Sequence, residues 1–431
     1  MTSESEESAG ADLLITGIGQ LVDFGTGGPS DPPEIVEDAF VWIRGGRVAA
    51  RGSARDVPDE AGRAPRLDAA GGVVLPGLVD SHTHAVFGAT REHEFERRLA
   101  GATYQEIAAA GGGIRWSVRD LRGRDEDELL DLAAGRLAEC PRWGVTTVEV
   151  KSGYGLTVED EIRSLRVARR LGLDPGLPRL VPTFLGAHAL PVEFADDRAG
   201  YVRLVVDEML PLVAEEGLAR FCDVFCDEGA FTLEESETIL VRAAELGLGL
   251  KIHADEFAGL GGAGLAVRLG AASADHLVAV GEAGIEALAG SRTVATLLPG
   301  TSFFLRLGQF APARRLVDAG ATVALATDFN PGSSMTQNLM LMAAFGCCLM
   351  GLTIDESLRA VTRGGALAVR REDLGSLAPG SAGDLAVFSV PDYRQLVYHY
   401  GVGHGWATVR GGRVIWRDAA KAGAAPPTGS G

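Results

Sequence analysis

Short apolar segments alternate with longer amphipathic segments along the chain from Gly72 onward. Apolar runs that end in polar or glycine-containing turns are typical of buried strands, and apolar positions that recur about every 3.6 residues predict helices. The strands predicted in this region are Val73–His84, Val145–Val150, Leu180–Ala187, Phe221–Cys226, Leu248–His253, Ala272–Val278, Val294–Leu298 and Thr322–Ala326. Strands and helices that alternate in this way favour an α/β fold with a TIM-like (β/α)₈ barrel, with an open doubly wound sheet as the alternative.

The predicted helices carry recognisable start signals. Glu126–Leu137 opens with acidic residues, which suit the positive end of the helix dipole. Leu233–Leu246 is preceded by Thr232 as N-cap and has Glu235 at the capping-box position. Two more helices are predicted after the last barrel strand, at Thr336–Met350 and Ile354–Val361.

Both ends of the chain contain short strands that do not alternate with helices. The predicted strands are Leu13–Val22, Ala39–Ile43 and Arg47–Arg51 before the barrel, and Asp384–Val390, Trp406–Arg410 and Arg413–Trp416 after it. Gly-Gly turns within these pairs predict hairpins. We therefore expect a small β-sandwich built from both chain ends. The predicted division is a disordered tail at 1–11, a composite β-sandwich at 12–71 and 367–418, a catalytic barrel at 72–366 and a mobile tail at 419–431.

Composition and charge narrow the possible partners. The chain is 46% hydrophobic and 23% charged, as in ordinary globular proteins, and its net charge is −18. Such an acidic chain argues against binding to nucleic acid or to anionic membranes. Residues 1–12 lack the features of a signal peptide, and the five cysteines form no CxxC motif, which favours a reduced, cytoplasmic setting.

Polar residues with metal-binding chemistry stand where the predicted strands end. Five of the eight histidines fall at these ends: His82, His84, His188, His253 and His276. His82 and His84 are two residues apart on a strand, so both imidazoles point to one face. Three imidazoles and one carboxylate suit zinc or non-haem iron with a water completing the shell, so His82, His84, His253 and Asp328 are the predicted ligands. The alternative is that His253 and Asp328 only cap neighbouring loops.

These residues and longer motifs around them resemble the amidohydrolase superfamily. In that superfamily, two histidines of the first strand, one of the fifth and an aspartate of the eighth bind metal. Binuclear members add a carboxylated lysine on the fourth strand, which here ends in Cys226-Asp227-Glu228. The resemblance therefore implies one Zn²⁺ or Fe³⁺ ion per chain. The motifs that narrow it to the imidazolonepropionase family are Glu149–Leu156 (EVKSGYGL), Thr183–Leu190 (TFLGAHAL), Lys251–Phe257 (KIHADEF) and Ala326–Ser334 (ATDFNPGSS).

The resemblance implies a small-molecule substrate, 4-imidazolone-5-propanoate, whose ring is opened by water to N-formimidoyl-L-glutamate in histidine degradation. The implied catalytic residues are Glu256, His276 and Asp328, and the residues alone leave open which of them is the general base. The implied substrate-binding residues are Arg91, Tyr154, His188, Glu256, Asn330, Gly332 and Ser333. A homodimer is common for this fold and is expected here.

Several alternatives remain at this level. The pattern His253-x-x-Glu256 also permits a deaminase of a heterocyclic or formimidoyl amine, and a metal-free binding homologue is a second alternative. Arg91 lies in a charged run, where a surface salt bridge would explain it equally well. His93, His399 and His404 carry no derivable role, and Cys226 is expected to be buried and inert.

Overall fold

The computed structural model of the chain describes residues 10–25, 28, 31–102, 106 and 111–420. The predicted disordered tail, apart from residues 10 and 11, and nearly all of the predicted mobile tail lie outside the described residues. Within the described residues, no helix is both long enough and apolar enough to cross a membrane. The strands, in chain order, are β1 (Leu13–Asp23), β2 (Glu34–Arg44), β3 (Arg47–Ser53), β4 (Arg66–Asp68), β5 (Val73–Pro76), β6 (Leu78–Asp80), β7 (Val145–Lys151), β8 (Arg179–Ala187), β9 (Phe221–Cys226), β10 (Gly249–Ala254), β11 (Ser273–His276), β12 (Val294–Leu297), β13 (Val323–Leu325), β14 (Leu385–Phe388), β15 (Gly405–Arg410) and β16 (Arg413–Arg417).

Helices follow most barrel strands and cover the outside of the sheet. The predicted helix Glu126–Leu137 is confirmed at both ends, and Leu233–Glu245 ends one residue earlier than predicted. Thr232 and Glu235 form the expected capping box. The α-helices of the described residues are Glu92–Leu99, Ile114–Arg122, Glu126–Leu137, Val158–Gly172, Arg198–Leu204, Leu210–Glu215, Leu233–Glu245, Gly262–Arg268, Glu282–Leu288, Pro299–Leu305, Ala313–Asp318, Leu339–Met350, Ile354–Arg359, Gly365–Ala368 and Gln395–Tyr398.

The predicted barrel is confirmed. Strands β6 to β13 lie side by side in sequence order, and every neighbouring pair is parallel. The first and last strands of this order meet just beyond their ends through a parallel bridge between Thr83 and Phe329. The Asp328 N–H donates to the His82 carbonyl at 3.0 Å, and the His84 N–H donates to the Phe329 carbonyl at 2.9 Å. This seam places the first-strand histidines beside the eighth-strand aspartate.

The predicted first barrel strand, Val73–His84, is wrong as a single strand. Its first part, β5, pairs with β1 and β14 in the sheet made by the chain ends, and only β6 belongs to the barrel. Gly77 separates them, and a Cβ there would lie 2.2 Å from Thr146 Oγ1, so the chain passes too close to β7 for any side chain. Both strands are buried on both faces, so one unbroken apolar run covers two sheets and its periodicity does not mark the boundary.

The predicted union of the two chain ends is also confirmed. Strands β16, β15, β14, β5, β1, β2 and β3 form one mixed sheet in that order, with β4 paired to β1. The strand β4 was not predicted, because it is only three residues long. The apolar cluster of this sheet includes Ile15, Val41, Val74, Leu385 and Val409, which come from distant parts of the sequence.

Two glycines allow a helical segment to pack against the barrel seam. A Cβ on Gly364 would lie 2.2 Å from the Val323 carbonyl oxygen, and one on Gly365 would lie 2.3 Å from the Val79 carbonyl oxygen. These neighbours are backbone atoms of the last and first barrel strands, so they cannot move aside individually. The helix can therefore approach the seam only where the side chain is absent.

We predict that Gly364→Ala lowers the free energy of unfolding by about 1–3 kcal/mol, the usual cost of overpacking. The matched control is Gly135→Ala in the helix Glu126–Leu137, where a Cβ would meet nothing within 4 Å. That change should be neutral or stabilising by up to about 1 kcal/mol, because alanine is the better helix former. Urea unfolding of both variants measures the difference, and equal midpoints would contradict the prediction.

Candidate metal centre and active site

The predicted ligands converge at the C-terminal end of the barrel. The imidazole rings of His82 and His253 have centroids 4.5 Å apart, and His84 lies 5.3 Å from His82. Nε2 of His82 and Nε2 of His84 are each 3.5 Å from Asp328 Oδ1. All four side chains are buried. The strands that carry them are far apart in sequence, and closure of the barrel at its seam brings them together.

The donor atoms of this cluster fit a metal ion. Within the part of the chain that the structure describes, His82, His84 and Asp328 offer donor atoms within 4.8 Å of one another, and so do His82, His253 and His276. Nε2 of His82 and Nε2 of His253 are buried and have no hydrogen-bond partner. Buried polar atoms rarely stay unpaired, and imidazole nitrogens with a carboxylate oxygen suit zinc or iron. A metal cofactor therefore fits the residues present.

Electrostatics keep these imidazoles in the form that binds metal. Burial holds the pKa of His82, His84 and His276 well below the usual value, and neighbouring positive groups lower it further. A neutral imidazole has a free lone pair, whereas a protonated one has none. Burial likewise raises the pKa of Asp328 to about 6, partly offset by the hydrogen bond from Thr301.

The backbone at the strand ends is strained. Asp255, His276, Leu277 and Asp328 have φ of 51°, 77°, 60° and 51°, a region that residues with side chains rarely adopt. Each such residue costs on the order of 1–3 kcal/mol and persists only where its surroundings hold it. Backbone strain at positions such as these is typical of functional sites.

Thr301 Oγ1 donates to Asp328 Oδ2 at 2.5 Å, which leaves Oδ1 directed at His82 and His84.

Glu256 and His276 form a pair beside the metal donors. His276 Nδ1 lies 3.5 Å from Glu256 Oε1, and both side chains are buried. Burial, and then the charges of Asp328 and Asp227, raise the pKa of Glu256 well above its usual range. Asp227 also holds the Glu256 backbone, because its carboxylate accepts the Glu256 N–H at 2.8 Å. A protonated carboxyl fixed in this position is suited to donate a proton.

Tyr154 and His188 line the same site. The His188 ring stacks on His84 with centroids 5.1 Å apart, and Tyr154 lies 5.9 Å from His84. His188 Nδ1 lies 2.9 Å from the Gly153 carbonyl oxygen, a contact that fits an Nδ1–H donor and leaves Nε2 for another partner. Burial lowers the pKa of His188 to about 3, so this ring is neutral as well.

Arg91 is paired, but not at the surface. Its guanidinium donates to Glu94 Oε2 at 2.6 Å, and the two side chains are only 13% and 7% exposed. A Cβ on Gly332 would lie 2.4 Å from Arg91 Nη1, so the absent side chain allows the guanidinium to reach the loop after β13. The salt bridge considered from sequence is therefore present within the charged run, but it is largely shielded from solvent against this loop and does not lie at the surface.

The loop after β13 is held together by Asn330. Its Nδ2 donates to the Asp328 carbonyl at 2.6 Å, and its Oδ1 accepts the N–H groups of Gly332 and Ser333 at 2.8 Å each. The amide of Asn330 thus shapes the loop. Ser333 Oγ lies 3.3 Å from Asp328 Oδ2, next to the metal donors.

Several charged residues of the site escaped the sequence analysis as functional residues. Five of them form a group below the metal donors that we call the buried ion cluster: Glu149, Lys151, Asp223, Lys251 and Asp275, all with 0% side-chain exposure. Glu161 was also missed, and its carboxylate accepts the N–H groups of Gly153, Gly155 and Leu156 and so shapes the Tyr154 loop. Charged residues inside otherwise apolar strands are costly unless paired, and that signal could have identified the cluster.

The remaining histidines lie outside the metal-donor cluster. His93 is exposed and contacts Trp116, with ring centroids 5.3 Å apart. His399 and His404 lie 5.0 Å apart in the segment before β15. The Cys226 thiol is buried as expected, and burial raises its pKa, which makes it a poor nucleophile.

Comparison with known proteins identifies the family. The family profile described as "Amidohydrolase family" (Amidohydro_3) matches residues 110–415. Imidazolonepropionase of Geobacillus kaustophilus (strain HTA426) is 47% identical over 89% of this chain and 91% of its own length. Imidazolonepropionase of Myxococcus xanthus (strain DK1622) is 48% identical over 88% of this chain and 90% of its own length.

Solved structures agree on the fold. A triazine hydrolase variant is 22% identical with a TM-score of 0.73, covering 94% of each chain. Guanine deaminase from C. acetobutylicum is 15% identical with a TM-score of 0.68, covering 94% of this chain and 100% of that one. At these identities the likeness concerns the fold alone. The family profile and the curated relatives go further, and they establish that the chain belongs to the imidazolonepropionase family of metal-dependent amidohydrolases.

Proposed function

We propose that this protein opens the ring of 4-imidazolone-5-propanoate with water to give N-formimidoyl-L-glutamate. The observation that carries the proposal is the convergence, at one end of the barrel, of four metal donors, a buried carboxyl and a guanidinium. The donors are His82, His84, His253 and Asp328, the carboxyl is Glu256 and the guanidinium is Arg91. Family membership supports the same reaction, since the curated relatives are imidazolonepropionases.

The four donors are proposed to hold one Zn²⁺ or Fe³⁺ ion. When bound, such an ion lowers the pKa of a water molecule and so supplies hydroxide near neutral pH. Asp328 has two oxygens with different partners: Oδ1 faces His82 and His84, and Oδ2 accepts from Thr301. This arrangement leaves the carboxylate placed to orient the attacking water and to accept its proton.

Glu256 and His276 are proposed to act on the substrate. The reaction adds hydroxide to the ring carbonyl carbon and a proton to the ring nitrogen as the C–N bond breaks. Glu256, kept protonated by its raised pKa, donates that proton. His276 faces Glu256 through Nδ1, so its Nε2–H is available to stabilise the charge that develops on the carbonyl oxygen.

Arg91 is proposed to bind the propanoate group of the substrate, because guanidinium suits carboxylate recognition. Arg91→Gln should lower kcat/KM about 10- to 150-fold, mostly through KM, as expected for loss of a charge-assisted hydrogen bond worth about 1.5–3 kcal/mol. Steady-state kinetics measure the change. Tyr154 and His188 would contact the imidazolone ring, with the loop of Asn330, Gly332 and Ser333 closing the propanoate end.

Two controls separate recognition from damage to the fold. Arg97→Gln removes an exposed arginine from the helix Glu92–Leu99, which begins directly after Arg91, and should leave both constants unchanged. A substrate analogue with an amide in place of the carboxylate should be turned over equally by the wild-type protein and Arg91→Gln. If kcat/KM for that analogue still differed between the two proteins as much as it does for the carboxylate substrate, Arg91 would not be the residue that binds the carboxylate.

The decisive experiment supplies 4-imidazolone-5-propanoate to metal-characterised protein and follows N-formimidoyl-L-glutamate and ammonia. Formimidoylglutamate without ammonia, with about one metal per chain by elemental analysis, is the expected result. Ammonia release from another heterocycle would instead indicate the deaminase alternative. Elemental analysis also decides between zinc and iron.

The assembly and the cellular setting stay predictions. The homodimer rests on what is common for the fold, and sedimentation of the purified protein tests it. The cytoplasmic setting rests on the cysteines, all five of which are free thiols in the structure. Cys140, Cys222 and Cys226 are buried.

A further inference from the structure

The buried ion cluster below the metal donors has two lysines and three carboxylates with no exposure to solvent. Lys151 Nζ lies 2.6 Å from Asp223 Oδ2 and 3.0 Å from Glu149 Oε1. Lys251 Nζ lies 2.8 Å from Glu149 Oε2 and donates to the Ser81 carbonyl at 2.8 Å. Burying five charges is costly, and it often adds nothing to stability compared with an apolar core. Stability alone therefore does not account for the cluster.

Two members of the cluster touch metal donors. Asp275 Oδ2 lies 2.6 Å from His82 Nδ1, and Asp223 Oδ2 lies 3.0 Å from His253 Nδ1. Asp223 Oδ1 also accepts the backbone N–H of His253 at 3.2 Å. With a carboxylate next to Nδ1, each imidazole offers Nε2 to the site, and both Nε2 atoms lack a hydrogen-bond partner. The contact of His253 Nδ1 with Asp223 is an ion-pair contact at 3.0 Å, without hydrogen-bond geometry. A carboxylate behind a ligand histidine sets the tautomer and the orientation of the ring.

Lys151 connects these two carboxylates. Its Nζ is 2.6 Å from Asp223 Oδ2 and 3.5 Å from Asp275 Oδ2, the same two oxygens that face the imidazoles. A single ammonium group therefore contacts both carboxylates at once. We propose that Lys151 is a positioning residue for the metal centre, which holds Asp223 and Asp275 so that His253 and His82 present Nε2 to the same ion.

Lys251 offers a matched comparison within the same cluster. It carries the same charge, has the same 0% exposure and shares Glu149 as a partner. However, its Nζ is 3.8 Å from Asp275 Oδ2, beyond hydrogen-bond distance, and its close contacts are Glu149 and the Ser81 carbonyl. Removing Lys251 changes the charge of the cluster but leaves the contacts of Lys151 with Asp223 and Asp275 in place.

The test measures the Zn²⁺ affinity of metal-free, full-length protein by competition with a chromophoric chelator, and compares Lys151→Met with Lys251→Met. Urea unfolding of each metal-free variant reports the structural cost separately. Lys151→Met should weaken Zn²⁺ binding about 10- to 100-fold, the usual effect of removing an outer partner of a ligand. Lys251→Met should lose clearly less affinity at a similar loss of unfolding stability. Equal losses of affinity, or none in Lys151→Met, would overturn the proposal.

A second pair of variants covers the case in which a single buried charge change prevents folding. Lys151→Met/Glu149→Gln and Lys251→Met/Glu149→Gln each remove one charge of either sign, and they share the loss of Glu149, which contacts both lysines. The first should lose Zn²⁺ affinity and the second should retain most of it, and the reverse order would overturn the proposal. The inference rests on the proposed metal site: wild-type protein that bound no Zn²⁺ would overturn both, whereas wild-type binding with equal variants would overturn the role of Lys151 alone.

Discussion

Dialysis against a chelator should lower the rate of ring opening by about 10³-fold or more, and added Zn²⁺ or iron should restore it. The reason is that activation of water by a metal ion supplies several kcal/mol of the barrier reduction, and each 1.4 kcal/mol corresponds to about tenfold in rate. The Cys226 thiol is not an alternative nucleophile, because burial raises its pKa. The measurement is formimidoylglutamate formation before dialysis, after dialysis and after metal is returned.

Substitution of a proposed metal-binding residue should likewise lower the rate of ring opening. His84→Ala should reduce both metal content and turnover, because it removes a donor that lies 3.5 Å from Asp328 Oδ1. His93→Ala is the matched control, since His93 is exposed and lies outside the donor cluster. Circular dichroism should be unchanged in both variants. Full activity in chelated protein with no residual metal would refute the metal-dependent mechanism altogether.

Glu256→Gln should lower kcat about 10²- to 10⁴-fold with little change in KM, the range expected when a positioned proton donor is removed. Glutamine keeps the shape of the side chain and cannot give up a proton. Glu228→Gln changes an exposed glutamate at the end of the neighbouring strand, and it should leave kcat unchanged. Single-turnover kinetics separate the chemical step from product release. An unaltered chemical step in Glu256→Gln would remove Glu256 from the mechanism.

The pH profile provides a second measure of the same role. Burial and the nearby carboxylates of Asp328 and Asp227 raise the pKa of Glu256, so its protonated form persists to higher pH than that of an ordinary glutamate. A proton donor works only while protonated, so the rate should fall as pH rises through that pKa. In Glu256→Gln this alkaline limb should disappear. A limb that persists unchanged would have to arise from another group.

Much of the fold could be predicted because its signals are local. The apolar segments that became β7 to β13 stand between helices with their own start signals, and the capping residues Thr232 and Glu235 act on neighbouring backbone groups. The predicted ligands are recognisable for a related reason. His82 and His84 share a face of the chain at their strand end, and in a closed barrel all strand ends face the same site.

The sequence by itself therefore determined the barrel, the joining of the chain ends and the residues of the candidate metal site. Only the tertiary structure decided how the apolar run around Gly77 divides between two sheets, because strand pairing depends on neighbours that lie far away in the chain. It also decided that Arg91 pairs with Glu94 largely shielded from solvent and that Lys151 reaches both Asp223 and Asp275. A charged residue shows its type in the sequence, but its partner is set by packing across the barrel, and the partner determines what the charge does.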